Sequence, residues 1–198
     1  MAFEHADFDR LFTANDDPWQ MRSSAYELRK RGLTLAALPP GRFASAYEPG
    51  CANGELSAAL AARCDALLAT DRSQHAVRLA AERVQEQRHV QVRQAWLPAQ
   101  WPEGTFDLIV FSELGYFLSA AELDRLGRLA LGALKTGGTL LACHWRHPIE
   151  HGEMDGDEVH RRLHCMGLPC VGSWTETDFR IDVWCGQVRT PAQQEGLV

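Results

Sequence analysis

The sequence lacks three features that would assign it to common classes of protein. Its six cysteines include no CxxC pair, which excludes a zinc ribbon and a thioredoxin-like redox centre. It has no run of about 20 apolar residues, the length that a membrane-spanning helix requires. Its first segment, MAFEHADFDRLF, has neither the basic residues nor the apolar run of a signal peptide. We therefore expect a cytoplasmic protein that contacts no membrane and keeps its cysteines as free thiols.

Basic residues are also fewer than acidic residues. The chain carries 20 Lys and Arg residues against 26 Asp and Glu residues, a formal net charge of -6. A protein of this charge has little general affinity for phosphate backbones, so we expect no nucleic-acid partner. A short basic cluster from Arg29 to Arg31 is interpreted as the solvated end of a helix.

Predicted strands and helices alternate along most of the chain. Short apolar or alternating segments predict strands at 43–48, 65–71, 89–93, 105–113, 139–145, 170–178 and 179–188. Amphipathic segments with capping residues predict helices at 17–38, 53–64, 73–87, 119–138 and 157–168. This order predicts an α/β fold with a Rossmann-like, doubly wound, mostly parallel seven-stranded sheet, an antiparallel C-terminal strand pair and helices on both faces.

The length of 198 residues is that of one ordinary domain. No repeat or long linker divides the chain, so we expect a single domain over 1–198. Within it, residues 15–40 are predicted to form an N-terminal lid helix, 41–188 the Rossmann-like core and 189–198 a loose tail.

A glycine-containing loop follows the first predicted strand in the segment YEPGCANG. Gly50 can adopt a positive φ or let the backbone approach a ligand, and Gly54 permits close packing where the next helix begins. No Lys-Ser or Lys-Thr pair follows the loop, so it is not a triphosphate-binding P-loop. Ala52 occupies the position where the dinucleotide motif GxGxxG has glycine, which disfavours a nicotinamide dehydrogenase.

Two acidic residues indicate which ligand the loop binds. Glu48 stands just before the loop, where it would repel a pyrophosphate and attract a cationic amino group. Asp71 ends the second predicted strand, 21 residues after Gly50, and is spaced to accept hydrogen bonds from both ribose hydroxyls. A ribose without phosphates, joined to a cationic amino-acid part, indicates S-adenosylmethionine.

Several motifs carry a family resemblance that agrees with this ligand. EPGCANG, LLATDRS, WPEGTFDLIVFSELGYFL and LKTGGTLLACHW resemble the successive motifs of class I S-adenosylmethionine-dependent methyltransferases. DPWQMRSSAYELRK and HWRHP are similar to motifs of the nodulation-protein-S-like (NodS-like) methyltransferases. That family includes N-methyltransferases that act on the free amine of deacetylated chitooligosaccharides. The resemblance covers residues 15–185, and it departs from the class pattern at Ala52 and at ELGY, residues 113–116.

The resemblance implies a set of cofactor-binding residues. Trp19 and Tyr26 would cover the cofactor, Asp71 would hold its ribose, and the product would be S-adenosylhomocysteine. The full set is Trp19, Tyr26, Glu48, Gly50, Cys51, Gly54, Asp71, Arg72, Ser73, Ala95, Trp96, Leu97, Ser112, Glu113 and Leu114.

The catalytic residues are expected near the ends of the fourth and fifth strands. An amine that arrives protonated must lose its proton before it attacks a methyl group, so a base is needed. His144 lies nearest the end of the fifth predicted strand and ranks first as that base, followed by His147. Glu113 and Tyr116 are expected to bind the acceptor amine. The alternative for either histidine is a structural role, in which its ring forms a hydrogen bond with a loop carbonyl.

A metal site is not expected. His160 and His164 stand four residues apart on one predicted helix, with Cys165 adjacent. Nothing fixes a third and a fourth ligand, so a solvated helix is the preferred interpretation.

The sequence therefore predicts a methyltransferase that acts on a small-molecule acceptor, with an amino group as the expected target. The alternative is a noncatalytic module that keeps the methyltransferase fold, binds the nucleoside and works through a partner protein. A monomer or a weak homo-oligomer is expected.

Overall fold

The computed structural model describes residues 5–186 and 190–198. Its helices are α1 His5–Ala14, α2 Ala25–Ala37, α3 Glu55–Ala61, α4 Gln74–Arg83, α5 Ala120–Ala133, α6 Gly156–His164 and α7 Pro191–Gln194. Its strands are β1 Ala46–Pro49, β2 Leu67–Asp71, β3 Val90–Gln94, β4 Phe106–Ser112, β5 Leu134–Trp145, β6 Cys170–Thr175 and β7 Phe179–Cys185. No helix within the described residues is both long and apolar enough to cross a membrane.

The seven strands form one sheet in the order β3-β2-β1-β4-β5-β7-β6. The first five are parallel to one another, whereas β7 runs antiparallel to both β5 and β6. The predicted Rossmann-like sheet with an antiparallel C-terminal pair is confirmed. The strand order reverses between the adjacent strands β1 and β4, and ligands bind at the carboxyl ends of strands at such a point.

Alternate residues of the central strands pack on opposite faces of this sheet. Ile109 and Phe111 of β4 belong to a core cluster that α5 and α6 cover. Leu108 and Val110 belong to a second cluster, which includes Leu60 of α3 and is flanked by side chains of α2. Burial on both faces explains why β4 is apolar along nearly its whole length.

The predicted helix over 17–38 is wrong in its first turns. Only α2 is helical there, because the carboxylate of Asp17 accepts hydrogen bonds from the backbone N–H groups of Met21 at 2.7 Å and Arg22 at 3.0 Å. These bonds close a turn in place of a helix. A turn and one helix therefore stand where the lid helix was expected over 15–40, and a separate helix, α1, precedes that range.

Two other boundaries differ from the expectation. The helix predicted over 119–138 ends at Ala133, because Leu134 already pairs with Phe106 as the first residue of β5. The expected loose tail begins at residue 189, which lies outside the described residues. The part of it that is described contains the short helix α7.

Candidate functional site

A cavity of about 1170 Å³ lies at the carboxyl ends of the parallel strands β1 to β4. The loops that follow these strands form its floor, and residues from α1, from α2 and from the segment after β4 form its walls. Most of the predicted cofactor and acceptor residues line it: Trp19, Tyr26, Glu48, Gly50, Cys51, Asp71, Arg72, Ala95, Trp96, Leu97, Ser112, Glu113, Leu114 and Tyr116. Gly54, Ser73, His144 and His147 are not part of the lining.

The glycine loop turns sharply beneath this cavity. Gly50 has a φ of +76°, and Gly54, at the start of α3, has a φ of +81°. A Cβ atom added to Gly54 would lie 2.7 Å from the Cα of Ala80, so only glycine lets α3 pack this closely on α4. Ala52 has a φ of +48° and adopts the left-handed backbone conformation despite its side chain. The loop therefore stays tight, although Ala52 replaces a glycine of the GxGxxG motif.

Asp71 joins the loop to the end of β2. One oxygen of its buried carboxylate accepts a hydrogen bond from the N–H of Ala52, and the other accepts one from the N–H of Ser73, both at 2.9 Å. Burial raises the pKa of Asp71. Because a carboxylate oxygen can accept more than one hydrogen bond, both oxygens retain capacity for ligand hydroxyls. The carboxylate is thus fixed in place and lines the cavity, as a ribose site requires.

Ser73 supports the position of Asp71 from outside the cavity. Its hydroxyl accepts a hydrogen bond from the N–H of Ala76 and so caps α4, and it donates to Asp9 of α1 at 2.5 Å. Ser73 therefore links α1, β2 and α4 from a position outside the cavity lining.

Glu48 lies at the end of β1 with only 2% of its surface exposed. The hydroxyl of Ser57 donates to its carboxylate at 2.5 Å, and burial raises the pKa of Glu48 to about 8. A cationic group in the cavity would stabilise the ionised carboxylate, because an opposite charge favours the charged form. Glu48 is therefore suited to a ligand ammonium group.

Aromatic side chains cover the cavity. Trp19 packs edge-to-face on Phe12 with ring centroids 5.5 Å apart, and Tyr26 packs in the same way on Trp145 at 5.5 Å. The hydroxyl of Tyr26 is buried and has no hydrogen-bond partner in the described part of the chain. A buried hydroxyl without a partner is costly, so it is a candidate contact for a ligand.

A polar cluster occupies the side of the cavity formed by α2 and the end of β4. The ammonium of Lys30 lies 2.6 Å from Glu113 and 2.9 Å from Glu27. Glu113 also accepts hydrogen bonds from the hydroxyl of Tyr116 and from the N–H of Trp145. These contacts hold Glu113 at a φ of +55°, a strained value for a residue with a side chain.

The prediction that Lys30 belongs to a solvated helix end is wrong. Only 6% of its surface is exposed. Burial by itself lowers the pKa of Lys30, but the nearby carboxylates of Glu113 and Glu27 more than offset it and raise that pKa. The ammonium therefore stays charged within the cavity wall.

Neither histidine expected as a base lies in the cavity lining. His144 is fully buried, and burial lowers its pKa well below the usual value. Its Nε2 atom accepts a hydrogen bond from the N–H of Gly115 at 3.1 Å. His147 is largely exposed and lies 2.8 Å from Asp178. Because side chains alternate along a strand, Trp145 lines the cavity and His144 points to the opposite face. This placement does not support either histidine as the base.

Two of the three residues weighed as metal ligands, His160 and His164, meet at Asp182, whereas the thiol of Cys165 is exposed and donates to the carbonyl of Arg161. His160 and His164 both lie within hydrogen-bond distance of the Asp182 carboxylate, at 2.7 and 3.0 Å. Ligand-type atoms of His164, Cys170 and Asp182 lie within 4.8 Å of one another. Arg180 places a guanidinium nitrogen 2.8 Å from the same carboxylate and supplies the positive charge there. The absence of a metal remains a prediction.

Sequence reasoning missed part of the cavity wall. Phe8 and Phe12 stand four residues apart on α1, a spacing that could have indicated an amphipathic helix. Phe117 and Ile149 carry no comparable local signal, because only the folded chain brings them together at the cavity.

A family model described as Nodulation protein S (NodS) matches residues 4–144 of this chain. Nodulation protein S of Rhizobium tropici is 32% identical over 130 residues, which are 65% of this chain and 55% of that protein. Nodulation protein S of Bradyrhizobium diazoefficiens is 32% identical over 110 residues, 53% of this chain and 51% of that protein. The chain spans about half the length of these curated relatives.

Solved structures share the fold. A Pseudomonas syringae protein, provisionally assigned as a methyltransferase, is 51% identical with a TM-score of 0.74, covering 82% of this chain and 99% of that one. The N-methyltransferase NodS from Bradyrhizobium japonicum WM9, in complex with S-adenosylhomocysteine, is 22% identical with a TM-score of 0.82. That match covers 91% of this chain and 97% of the other.

Proposed function

The chain belongs to the nodulation protein S family, and on that premise we propose that it transfers a methyl group from S-adenosylmethionine to an amine of a small-molecule acceptor. The observation that carries the proposal is one continuous cavity. It joins Asp71 and the glycine loop to the charged cluster around Glu113.

The side of the cavity at the glycine loop fits the cofactor. Asp71 would accept hydrogen bonds from the ribose hydroxyls, and Glu48 would pair with the ammonium of the methionine part. Gly50 has a φ of +76°, a value that favours glycine, and so presents a backbone without a side chain to the cofactor. When bound, S-adenosylmethionine supplies an electrophilic methyl group on a sulfonium. The aromatic rings of Trp19 and Tyr26 would stabilise that cation by about 0.5 to 2 kcal/mol.

The opposite side of the cavity fits an amine acceptor. Two carboxylates, Glu27 and Glu113, surround the single ammonium of Lys30, so the cluster carries a net charge of about -1. Its surroundings are apolar, with Phe117 and Ile149 in the wall. A negative charge in such a poorly solvated place attracts an ammonium group and disfavours an anionic acceptor.

The two carboxylates have different roles in this proposal. Glu113 is held by three donors, from Lys30, Tyr116 and Trp145. These donors fix the position of its carboxylate, so Glu113 orients the acceptor. Glu27 makes one ion pair through one oxygen, and its other oxygen has no hydrogen bond among the described residues. Glu27 is therefore better placed to remove the proton of the amine.

We infer an amino sugar as the acceptor class. The family resemblance to enzymes that act on deacetylated chitooligosaccharides supports this inference. The cavity also extends beyond the predicted cofactor contacts, to Ala121 and Arg125. A noncatalytic nucleoside-binding module has no need of a buried Glu27–Lys30–Glu113 cluster, so the structure offers no support for that alternative.

Calorimetric titration with S-adenosylmethionine, S-adenosylhomocysteine and NAD tests the cofactor assignment. We expect micromolar binding of the first two ligands and none of NAD, because Ala52 stands where the dinucleotide motif GxGxxG has glycine. Transfer of a labelled methyl group is then measured with glucosamine, deacetylated chitotetraose and fully acetylated chitotetraose. Labelling of the deacetylated sugars alone supports an amine acceptor. Failure to bind either S-adenosyl ligand would remove the proposal.

A further inference from the structure

Three fully buried ionisable side chains form a continuous chain behind the cavity wall. His144 belongs to β5, His160 to α6 and Asp182 to β7, and each has 0% of its surface exposed. The Nδ1 atom of His144 lies 3.1 Å from Nε2 of His160, and Nδ1 of His160 lies 2.7 Å from the carboxylate of Asp182. Burying such groups is costly unless every one of them is satisfied.

The hydrogen bonds fix the proton positions along this chain. The N–H of Gly115 is a donor, so Nε2 of His144 must be the acceptor. A neutral His144 then carries its proton on Nδ1 and donates to Nε2 of His160. His160 in turn carries its proton on Nδ1 and donates to Asp182. Both imidazoles are therefore neutral Nδ1–H tautomers, and the chain has one direction, from Gly115 to Asp182.

Other groups hold Asp182 at the far end of the chain. Its carboxylate also lies 3.0 Å from Nε2 of His164 and 2.8 Å from the guanidinium of Arg180. A buried carboxylate requires such partners to remain ionised. Asp182 is thus a fixed acceptor at the end of the histidine chain.

The near end of the chain reaches the acceptor side of the cavity. Gly115 begins a short 3-10 helix, Gly115–Phe117. Tyr116 donates its hydroxyl hydrogen to Glu113, and Phe117 lines the cavity. A Cβ atom added to Gly115 would lie 2.4 Å from Val159 and 3.1 Å from Nε2 of His144. The backbone of this short helix therefore packs directly on α6 and on the imidazole.

We propose that His144, His160 and Asp182 are positioning residues that fix the Gly115–Phe117 helix and thereby place Tyr116 and Glu113 for the acceptor. The catalytic consequence of this proposal rests on the proposed function, whereas its structural part, the fixed helix, does not. A hydrogen bond to a backbone N–H sets the position of the turn more directly than apolar packing, because the bond is directional. His144 would thus serve the reaction from outside the cavity.

The test compares His144→Gln with His144→Leu. A glutamine oxygen can still accept from the N–H of Gly115, whereas leucine fills a similar volume and accepts nothing. His151→Asn is the control, because His151 is an exposed histidine with a φ of +61°, a conformation that asparagine tolerates. Hydrogen exchange of the Gly115 amide, the affinity for S-adenosylhomocysteine and methyl transfer to deacetylated chitotetraose are measured for each protein.

We expect the Gly115 amide to exchange at least tenfold faster in His144→Leu, and kcat to fall at least tenfold. The affinity for S-adenosylhomocysteine should stay within threefold, since Asp71 and Glu48, which are proposed to hold the ribose and the ammonium, do not contact His144. His144→Gln should recover most of the protection and of kcat, and His151→Asn should match the unmodified protein. Nitrogen-15 spectra of the unmodified protein should show Nδ1–H tautomers for His144 and His160.

Equal protection of Gly115 in the leucine and glutamine variants would overturn the proposal, as would an Nε2–H tautomer of His144. If His144→Leu does not fold, the tautomers of the unmodified protein and the exchange of the Gly115 amide in His144→Gln still test the proposal. If the unmodified protein binds no S-adenosylhomocysteine, the proposed function fails, while the exchange and tautomer measurements continue to test the positioning chain.

Discussion

The ammonium of Lys30 lies 2.6 Å from a carboxylate oxygen of Glu113, although 83 residues separate them in sequence. The pair joins helix α2, which covers the cavity, to the end of the central strand β4. Both side chains are largely buried, with 8% and 16% of their surfaces exposed. The contact therefore sets both the position of the covering helix and the charge on the acceptor side.

Replacing Lys30 with methionine should cost stability and activity together. Glu113 and Glu27 would remain as two neighbouring carboxylates without their cation, and removing one partner of a buried ion pair costs about 3 to 5 kcal/mol. We expect urea unfolding to show a loss near the lower limit and methyl transfer to fall at least tenfold. Arg29→Met, on the same helix but at an exposed ion pair with Glu176, should change either value little.

The double variant Lys30→Met/Glu113→Gln completes this experiment. It removes one of the two carboxylates that Lys30→Met leaves without a cation, so it should regain part of the stability that the single variant loses. The cycle also needs the single variant Glu113→Gln. A loss of stability in the double variant equal to the sum of the losses in the two single variants would show that the pair contributes no coupling energy.

Asp71→Asn should weaken S-adenosylhomocysteine binding more than tenfold. Both carboxylate oxygens accept backbone N–H groups, so the NH₂ group of asparagine would face one of these donors and disturb the loop. Calorimetry measures the effect. Asp65→Asn, at an exposed aspartate paired with Arg42, is the control and should leave the affinity within twofold. An unchanged affinity in Asp71→Asn would rule out the ribose assignment.

Gly54→Ala and Gly104→Ala should separate backbone strain from steric overlap. Both glycines have a positive φ, +81° and +104°, but only at Gly54 would an added Cβ meet a close neighbour, the Cα of Ala80 at 2.7 Å. Strain alone should cost about 1 to 2 kcal/mol in Gly104→Ala. Overlap should add about 1 to 3 kcal/mol in Gly54→Ala. Urea unfolding checks both values, and equal losses would contradict the packing argument.

The stability of the ligand-free protein should depend on Glu48 between pH 4.5 and 8. Burial raises the pKa of Glu48 from 4.5 to about 8, so the native state binds its proton more tightly than the unfolded state does. The stability that this proton provides is fully present below pH 4.5 and is lost as the pH rises through 8. Glu48→Gln should flatten this part of the profile in urea unfolding. Glu103→Gln, at an exposed carboxylate, should leave the slope unchanged.

The fold and the cofactor side could be predicted because their signals are local. The alternation of strands and helices indicates the parallel sheet, and Gly50 and Asp71 each stand at the end of a recognisable strand. The chain connects these features over short distances, so spacing alone brings them together. The roles of Gly50 and Asp71 in binding stay predictions until ligand binding is measured.

The acceptor side could not be predicted in the same way. A basic cluster on a helix is typical of a solvated surface, and nothing near Lys30 in sequence indicates its partner Glu113, which directly follows β4. His144 was misplaced for a different reason. The end of β5 was predicted correctly, but the side chains of a strand alternate, and the sequence did not indicate whether His144 or Trp145 faces the cavity.

The insertion of β7 between β5 and β6 has a consequence for how the protein is made. Asp71 and the glycine loop leave the ribosome early, whereas Asp182 follows about 110 residues later. At about 5 to 20 residues per second, this delay is about 6 to 22 seconds. Late in that interval, once Leu114 has also been made, a nascent chain contains every residue predicted to hold the cofactor but not β7, the strand that carries Asp182. If the proposed function holds, the residues that support the acceptor side are therefore completed only after all the residues expected to hold the cofactor have been made.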